Sequence, residues 1–489
     1  MTSKLRFIFG GQIREIHNID PQTSVLNWLR YEERKTGTKE GCAEGDCGAC
    51  TVVIRELTSS GITYRAINAC ILFMPMLDGK ELLTVEDLKS AHRRPHIIQE
   101  KMTELHGSQC GFCTPGIVMS LYAAHQNGEP LDTQGANDIL AGNLCRCTGY
   151  GPILEAAKEV SKQTAAKDDY NVIRKRLESI QRNETLSMTF WSPDGSSRTY
   201  VSPVSVAEFA SLYKLYSSAT IIAGGTDVGL WITKQGRTLD NIIYLGDVAD
   251  CKSIAETEAG LKIDAGVSYS SALARLGELH PSFGEYVRRI GSRQIRNGGT
   301  IGGNIANGSP IGDMMPPLIA LKARLTLRCG DDRREVELED FYLSYGNQDL
   351  RSSEFVESVL IPKQSANREF RTYKISKRFD QDISALSFAF SARIHEGKII
   401  DPVIAMGGMA GIPKRAFHTE QALEGEDWSL RTIRDAIAKL DDDYEPLSDM
   451  RASADYRLQV AKNLLHKTWL DINGDTTSHV LNIREPLNA

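Results

Sequence analysis

Nowhere does this sequence stay apolar for the ~18 consecutive residues that a membrane-crossing helix needs, so no membrane span is expected. The opening stretch, Met1-Thr2-Ser3-Lys4-Leu5-Arg6-Phe7, passes straight into a strand-like pattern and lacks the apolar segment of a secretory signal. The expected location is therefore the cytoplasm. An excess of one charge is lacking too: 57 Lys and Arg stand against 63 Asp and Glu, a net −6, with the signs interleaved. Without a concentrated basic face, no nucleic-acid partner is expected. Also missing are a G-x-S-x-G elbow, an H-E-x-x-H pair, paired carboxylates, internal repeats and low-complexity tracts. His92, His96, His106 and His125 show no metal-ligand spacing and read as surface or packed residues.

Cysteine is scarce beyond Cys147, where only Cys251 and Cys329 occur, and both read as buried structural thiols. The other eight of the ten cysteines lie between Cys42 and Cys147. Disulfides are rare in a reducing compartment, so this concentration means metal ligation or redox chemistry. Cys42, Cys47 and Cys50 are spaced C-x4-C-x2-C with Cys70 as a fourth, the plant-type [2Fe–2S] spacing. Zinc sites commonly pair two C-x2-C knuckles, and the four-residue gap favours the cluster over zinc. The small residues of Gly41-Cys42-Ala43-Glu44-Gly45-Asp46-Cys47-Gly48-Ala49-Cys50 let a loop wrap the cluster and aim backbone N–H groups at its sulfurs. The second group is Cys110-Gly111-Phe112-Cys113 with Cys145-Arg146-Cys147. C-x2-C alone leaves zinc, thioredoxin-like redox and structural roles open. Its C-x-C partner fits a compact cluster at helix ends better than a tetrahedral zinc knuckle.

A chain of 489 residues is too long for one hydrophobic core. Residues 4–9 and 12–19 read as strands joined at Gly10-Gly11, residues 24–34 as a helix, and 51–54 and 64–67 as further strands. Helices are expected from Thr114-Pro115 to about Asn127-Gly128, over 134–144 and over 152–163. Polar residues 163–187 read as a surface-hugging linker with a short amphipathic stretch near Ile173 and Leu177. Strands and helices mix from 188 to 366, and residues 367–489 add strands near 385–394 and helices near 429–440 and 454–470.

Two glycine-rich stretches stand out in the middle region. Ile221-Ile222-Ala223-Gly224-Gly225-Thr226-Asp227-Val228 is a strand running into a glycine turn, where bare amides can cradle a pyrophosphate. Alone the signal is weak, and an ordinary tight turn is the better reading. The second runs from Gly298-Gly299-Thr300 through Gly303, Asn304 and Asn307 to Asp313. Two such loops can hold phosphates, a ribityl chain and a ribose, yet neither is a Rossmann fingerprint.

Gly41-Cys42 through Cys50, Gln109-Cys110-Gly111-Phe112-Cys113-Thr114-Pro115-Gly116 and Asn143-Leu144-Cys145-Arg146-Cys147-Thr148-Gly149-Tyr150 resemble the iron–sulfur portion of the xanthine dehydrogenase (molybdenum hydroxylase) family. The resemblance implies an α+β multidomain chain. A β-grasp ferredoxin domain (1–76) would precede a four-helix [2Fe–2S] domain (77–162), a linker (163–187), an α+β FAD domain of the vanillyl-alcohol-oxidase-like type (188–366) and a C-terminal α+β flavoprotein domain (367–489). Carried over with it are two [2Fe–2S] clusters and FAD. Gln109 would contact a molybdopterin cofactor, and the FAD contacts would be Ile221, Ile222, Ala223, Gly224, Gly225, Thr226, Asp227, Val228, Thr300, Gly303, Asn304, Asn307, Asp313 and Lys374. Ile290 stands where the family stacks an aromatic on adenine, and Val356 replaces a leucine. The segment from Tyr373 to Ile383 resembles a mobile charged loop beside the flavin, although its charges also read as a solvated run. Tyr345 falls near the expected nicotinamide site.

No molybdopterin module follows the flavin region, so the resemblance implies a small subunit. Its partner would be a molybdopterin-binding large subunit, in a dimer of heterodimers. Electrons from hypoxanthine or xanthine oxidation to urate would cross the clusters to FAD and then NAD+. Two other readings stand beside it: the same relay in an aldehyde or N-heterocycle hydroxylase, and a self-contained flavin–iron–sulfur protein.

Overall fold

Strand Leu5–Phe9 alternates its side chains between two cores, as a pleated strand must. Leu5, Phe7 and Phe9 face one core, where Trp28 meets Phe7 and Phe9 edge-on at centroid distances of 5.5 and 5.2 Å. Ile8 faces the other, against Ile173, Leu177 and Ile180. Ile173 and Leu177 lie on helix Tyr170–Glu178, so the amphipathic stretch of the expected linker covers the back of the N-terminal sheet. Each such apolar side chain removed from water contributes about 1.5–3 kcal/mol.

These relations come from a computed structural model, which describes residues 1–88, 94–164 and 169–475. His92 lies outside the described residues, as do parts of the expected linker and C-terminal domain. The N-terminal sheet has five strands in the order Gln12–Ile16, Leu5–Phe9, Glu81–Leu83, Thr51–Thr58, Gly61–Asn68. Only Leu5–Phe9 with Glu81–Leu83 is parallel. That central strand lies beyond residue 76, where the first domain was expected to end. Ser24 caps the helical stretch Val25–Glu32, its side chain accepting from the Asn27 N–H at 3.1 Å.

Helices Ile97–Glu104, Thr114–Gln126, Thr133–Leu140 and Gly151–Ser161 follow and share a core built on Ile117, Leu121, Ile139 and Ile153. The third stops at Leu140, short of the expected residue 144, and residues 141–150 form a loop.

The chain divides into two units. One unit comprises Met1–Asp250, Ser268–Ser270 and Gly291–Thr300. The sheet Leu186–Trp191, Ser197–Ser202, Asn241–Tyr244, Thr220–Ile222 belongs to it, because Leu186, Met188, Tyr200, Ile222 and Ile242 share the core of Phe7 and Trp28. The other unit contains a five-stranded antiparallel sheet centred on Phe355–Pro362. It also holds a four-stranded antiparallel sheet, Arg368–Ile375, Leu386–His395, Lys398–Gly407 and Lys414–Arg415, whose core is shared with helices Leu430–Ile437 and Ala454–Ile472.

Within this second unit His280 precedes helix Pro281–Arg288, and its Nδ1 accepts the Ser282 N–H at 3.1 Å. Burial, then the Arg371 guanidinium 3.4 Å from Nε2, pull its pKa down to about 4. A folded-state pKa below the unfolded value means that the unfolded chain binds more protons. This contribution to stability is full above about pH 6.5 and is lost as pH falls toward 4. Denaturation midpoints measured across that window should fall less steeply in His280→Gln than in the parent.

Candidate functional site

The loop from Gly41 to Cys50 has no regular structure, and Ala43, Gly45 and Gly48 take positive φ values of 54°, 77° and 70°. This path forms a concave run of amides, a nest suited to negative sulfur. Asp46 and Cys47 both donate their backbone N–H to Cys42 Sγ at 3.3 Å. Thiol contacts link Cys47 to Cys42, Cys42 to Cys70, and Cys70 to Cys50 at 3.3 Å. A Cβ at Gly41 would sit 2.7 Å from Cys47 Sγ, so a larger residue there would force that sulfur to move. Cys50 and Cys70 are buried. Hydrogen bonds from the thiols of Cys47 and Cys70 hold Cys42 well below the ordinary thiol range, while Cys47 and Cys70 are pushed far up. Four cysteine thiols gathered in one small space would suit a thiolate-ligated cluster.

The second set sits at the ends of helices. Cys113 caps helix Thr114–Gln126, and Tyr150 caps Gly151–Ser161 while its hydroxyl oxygen accepts the Cys145 N–H at 2.8 Å. Cys110 and Cys147 touch at 3.4 Å, and Cys113 meets Cys145. Burial, then Cys145, push Cys113 up to about 12. The Phe112 backbone N–H lowers Cys110. Helix N-termini favour the negative sulfur such a site accumulates. Gln109, Cys110, Phe112 and Cys147 are exposed, whereas in the first set Cys50 and Cys70 are buried and Cys42 and Cys47 half-buried.

The two sets adjoin. Leu144 donates its N–H to the Cys47 carbonyl at 3.0 Å, and Asn143 Nδ2 donates to the Gly48 carbonyl at 3.1 Å. A Cβ on Gly48 would lie 2.0 Å from the Gly142 carbonyl, and one on Gly116 would lie 2.1 Å from the Gly48 carbonyl. Sequence reasoning missed Gly48, Gly116, Asn143 and their buried partner Gln294. The one available signal was the small residues beside the cysteines.

In the same unit, strand Thr220–Ile222 leads into Ala223–Asp227 and helix Val228–Thr233. A Cβ on Gly224 would lie 1.9 Å from the Gly298 carbonyl, so Ile221 to Val228 and Gly298-Gly299-Thr300 meet backbone to backbone. Ile71, which follows Cys70, lies against this turn: Cβ atoms added at Gly225 and Gly229 would meet it at 3.0 and 2.7 Å.

The other expected flavin contacts fall in the second unit. Gly303, Asn304 and Asn307 lie on helix Ile301–Asn307, and Asn304 Oδ1 accepts the Met314 N–H at 3.1 Å. Lys374 is buried, with Nζ 2.7 Å from Asp313 Oδ2 and 2.8 Å from Ser384 Oγ, and Ser384 also bonds Asp313. Ile290 and Val356 are buried, and Tyr345 is 77% exposed on a hairpin. Arg289 stacks on Phe379 at 4.0 Å and donates to the carbonyls of Lys374 and Phe379, which holds the charged loop at one end. Cys251 is buried as expected, whereas Cys329, the last residue of strand Arg324–Cys329, is half-buried, with its thiol 3.8 Å from the Ser352 carbonyl.

Residues 8–74 match the family model of a 2Fe-2S iron-sulfur cluster binding domain and residues 84–158 that of a [2Fe-2S] binding domain. Residues 195–364 match the FAD binding domain in molybdopterin dehydrogenase, and 371–472 the CO dehydrogenase flavoprotein C-terminal domain. Xanthine dehydrogenase of Emericella nidulans is 30% identical over 96% of this chain and 38% of its own length. The chain belongs to the molybdenum hydroxylase family. Within that family, aldehyde oxidase 1 of Macaca fascicularis is also 30% identical, over 88% of this chain and 36% of its own. The chain thus spans well under half the length of these relatives. A chain of the reconstituted CO dehydrogenase from Oligotropha carboxidovorans superposes with a TM-score of 0.52 at 25% identity, over 55% of this chain and 94% of that one. The molybdenum hydroxylase domains identify the cofactors: two [2Fe–2S]-binding domains and an FAD-binding domain are present. No helix among the described residues is long and apolar enough to cross a membrane.

Proposed function

We propose that this chain is the electron-transfer subunit of a xanthine dehydrogenase, passing electrons from a molybdopterin centre on a partner large subunit to NAD+. The observation that carries the reading is the order of sites in one unit. A cysteine set with Cys110 and Cys147 exposed beside Gln109 adjoins a set with Cys50 and Cys70 buried, and the residue after Cys70 packs on the glycine turn of the expected flavin loop. Cys42, Cys47, Cys50 and Cys70 would hold one cluster, and Cys110, Cys113, Cys145 and Cys147 the other. The clusters supply one-electron transfer and the flavin couples it to two-electron hydride transfer. Around them, the chain's own residues exclude water at Cys50 and Cys70 and leave Cys110 and Cys147 open to a partner.

The proposal includes a dimer of heterodimers in the cytoplasm, hypoxanthine and xanthine as substrates and urate as product, and Tyr345 near the nicotinamide. It also takes the N-terminal sheet as a β-grasp and the flavin region as the vanillyl-alcohol-oxidase-like type. Support for a separate partner comes from the CO dehydrogenase chain, which 55% of this chain nearly accounts for, so modules of such enzymes occur on separate chains. An aldehyde or N-heterocycle substrate is the second reading, favoured by the equal identity to an aldehyde oxidase.

Purification from the native host should bring down a molybdenum-containing large subunit, and the pair should reduce NAD+ with xanthine or hypoxanthine. Turnover with aldehydes alone would select the second reading. A stable solitary chain, or one holding zinc without iron and labile sulfide, would sink the proposal.

A further inference from the structure

Gln294, on helix Arg293–Gly298, is 2% exposed. Its Nε2 lies 3.1 Å from Thr51 Oγ1, 3.1 Å from Ser120 Oγ and 3.0 Å from Asn143 Oδ1. These acceptors come from three stretches that carry cluster ligands. Thr51 follows Cys50, Ser120 is on the helix capped by Cys113, and Asn143 stands two residues before Cys145. Asn143 Oδ1 also accepts from Ser120 Oγ at 2.7 Å, and its Nδ2 donates to the Gly48 carbonyl. Thr51 Oγ1 donates to that same carbonyl at 2.7 Å. Gln294 Oε1, by contrast, is buried without a hydrogen-bond partner. An unpaired buried amide oxygen is costly, so packing alone favours an apolar residue here. What the amide adds is hydrogens shared among both cysteine loops.

We propose that Gln294 is a positioning residue that fixes the two cluster-binding loops against each other and so sets electron exchange between the clusters. The proposal rests on the relay reading above. Its segment continues into Gly298, which meets the Gly224 turn, so the same short piece of chain touches the cysteine loops and the flavin loop.

The test uses the full-length holoprotein, fully reduced, with paramagnetic resonance spectra, reductive titrations and iron and sulfide content. Gln294→Leu should keep both clusters while the magnetic splitting between them weakens and at least one midpoint potential shifts. Ser120→Ala, which removes one hydroxyl from the network, should shift the splitting in the same direction by less. Full cluster content with parental splitting and potentials in Gln294→Leu would overturn the proposal. If Gln294→Leu fails to fold or loses iron, Ser120→Ala decides: a shifted splitting supports the proposal and a parental one overturns it. A parent protein without two iron–sulfur signals would overturn the relay reading as well, which separates the two failures.

Discussion

Asp247→Ala should destabilise the first unit by about 3–5 kcal/mol, the cost of stranding buried charge when one member of an ion pair is removed. Asp247 Oδ1 receives Lys80 Nζ at 2.8 Å, and Oδ2 receives Arg182 Nη2 at 2.8 Å and Ser202 Oγ at 2.8 Å. Arg182 also bonds Asp78 through Nε at 2.6 Å. Three stretches of chain, at Lys80, Arg182 and Ser202, therefore converge on one carboxylate. Burial works against the charge on Lys80, and Asp247 overcomes it and holds the ammonium above its ordinary range. Without Asp247, Lys80 keeps the carbonyls of Met76 and Asp78 but no carboxylate partner in the set. Urea denaturation should show the loss. The double variant Asp247→Leu with Lys80→Met should recover much of it, because apolar replacement of a whole buried pair is often neutral. Equal stability of Asp247→Ala and the parent would show the pair to be solvated.

The contrast between such pairs and the cysteines explains what the sequence discloses. Ligand spacing is local: C-x4-C-x2-C and C-x-C are each written within a few residues, so both cysteine sets are legible before any fold is known. The glycine turn at Gly224-Gly225 is equally local. Alternation along Leu5–Phe9 and the helical spacing of Ile173 and Leu177 disclose faces, though not what those faces meet. Strand Glu81–Leu83 is too short to show a period, and its parallel pairing with Leu5–Phe9 joins distant residues. Gln294 meets Thr51 across 243 residues of sequence and Asp247 meets Lys80 across 167. No pattern within a helix or strand encodes contacts at that range. They follow from how the sheets and helices pack, and packing also explains why region 188–366 is shared between two units. Its first sheet completes the N-terminal core, since Tyr200 and Ile242 are fully buried against it.

Gly116→Ala gives the sharpest test of the junction between the two cysteine loops, because two principles predict opposite signs. Gly116 lies within helix Thr114–Gln126, where replacing glycine by alanine ordinarily stabilises by roughly 1 kcal/mol. Its new Cβ would lie 2.1 Å from the Gly48 carbonyl oxygen, a backbone atom that no rotamer change can move aside. Overpacking of that kind costs about 1–3 kcal/mol, so the substitution should destabilise despite the helix. Gly48→Ala meets the same junction from the other side, at 2.0 Å from the Gly142 carbonyl, and adds the roughly 1–2 kcal/mol of a left-handed residue at φ 70°. Its total should reach about 2–5 kcal/mol, with iron lost from both cysteine sets at lower denaturant than in the parent. Gly10→Ala is the control, since it takes φ 58° with nothing within 4 Å of the added Cβ. Its cost should be the conformational part alone. If denaturation shows Gly116→Ala to be stabilising and Gly48→Ala no worse than Gly10→Ala, the two loops do not hold this close approach. If both exceed the control, the glycines beside the cysteines are there to let two cluster sites come together.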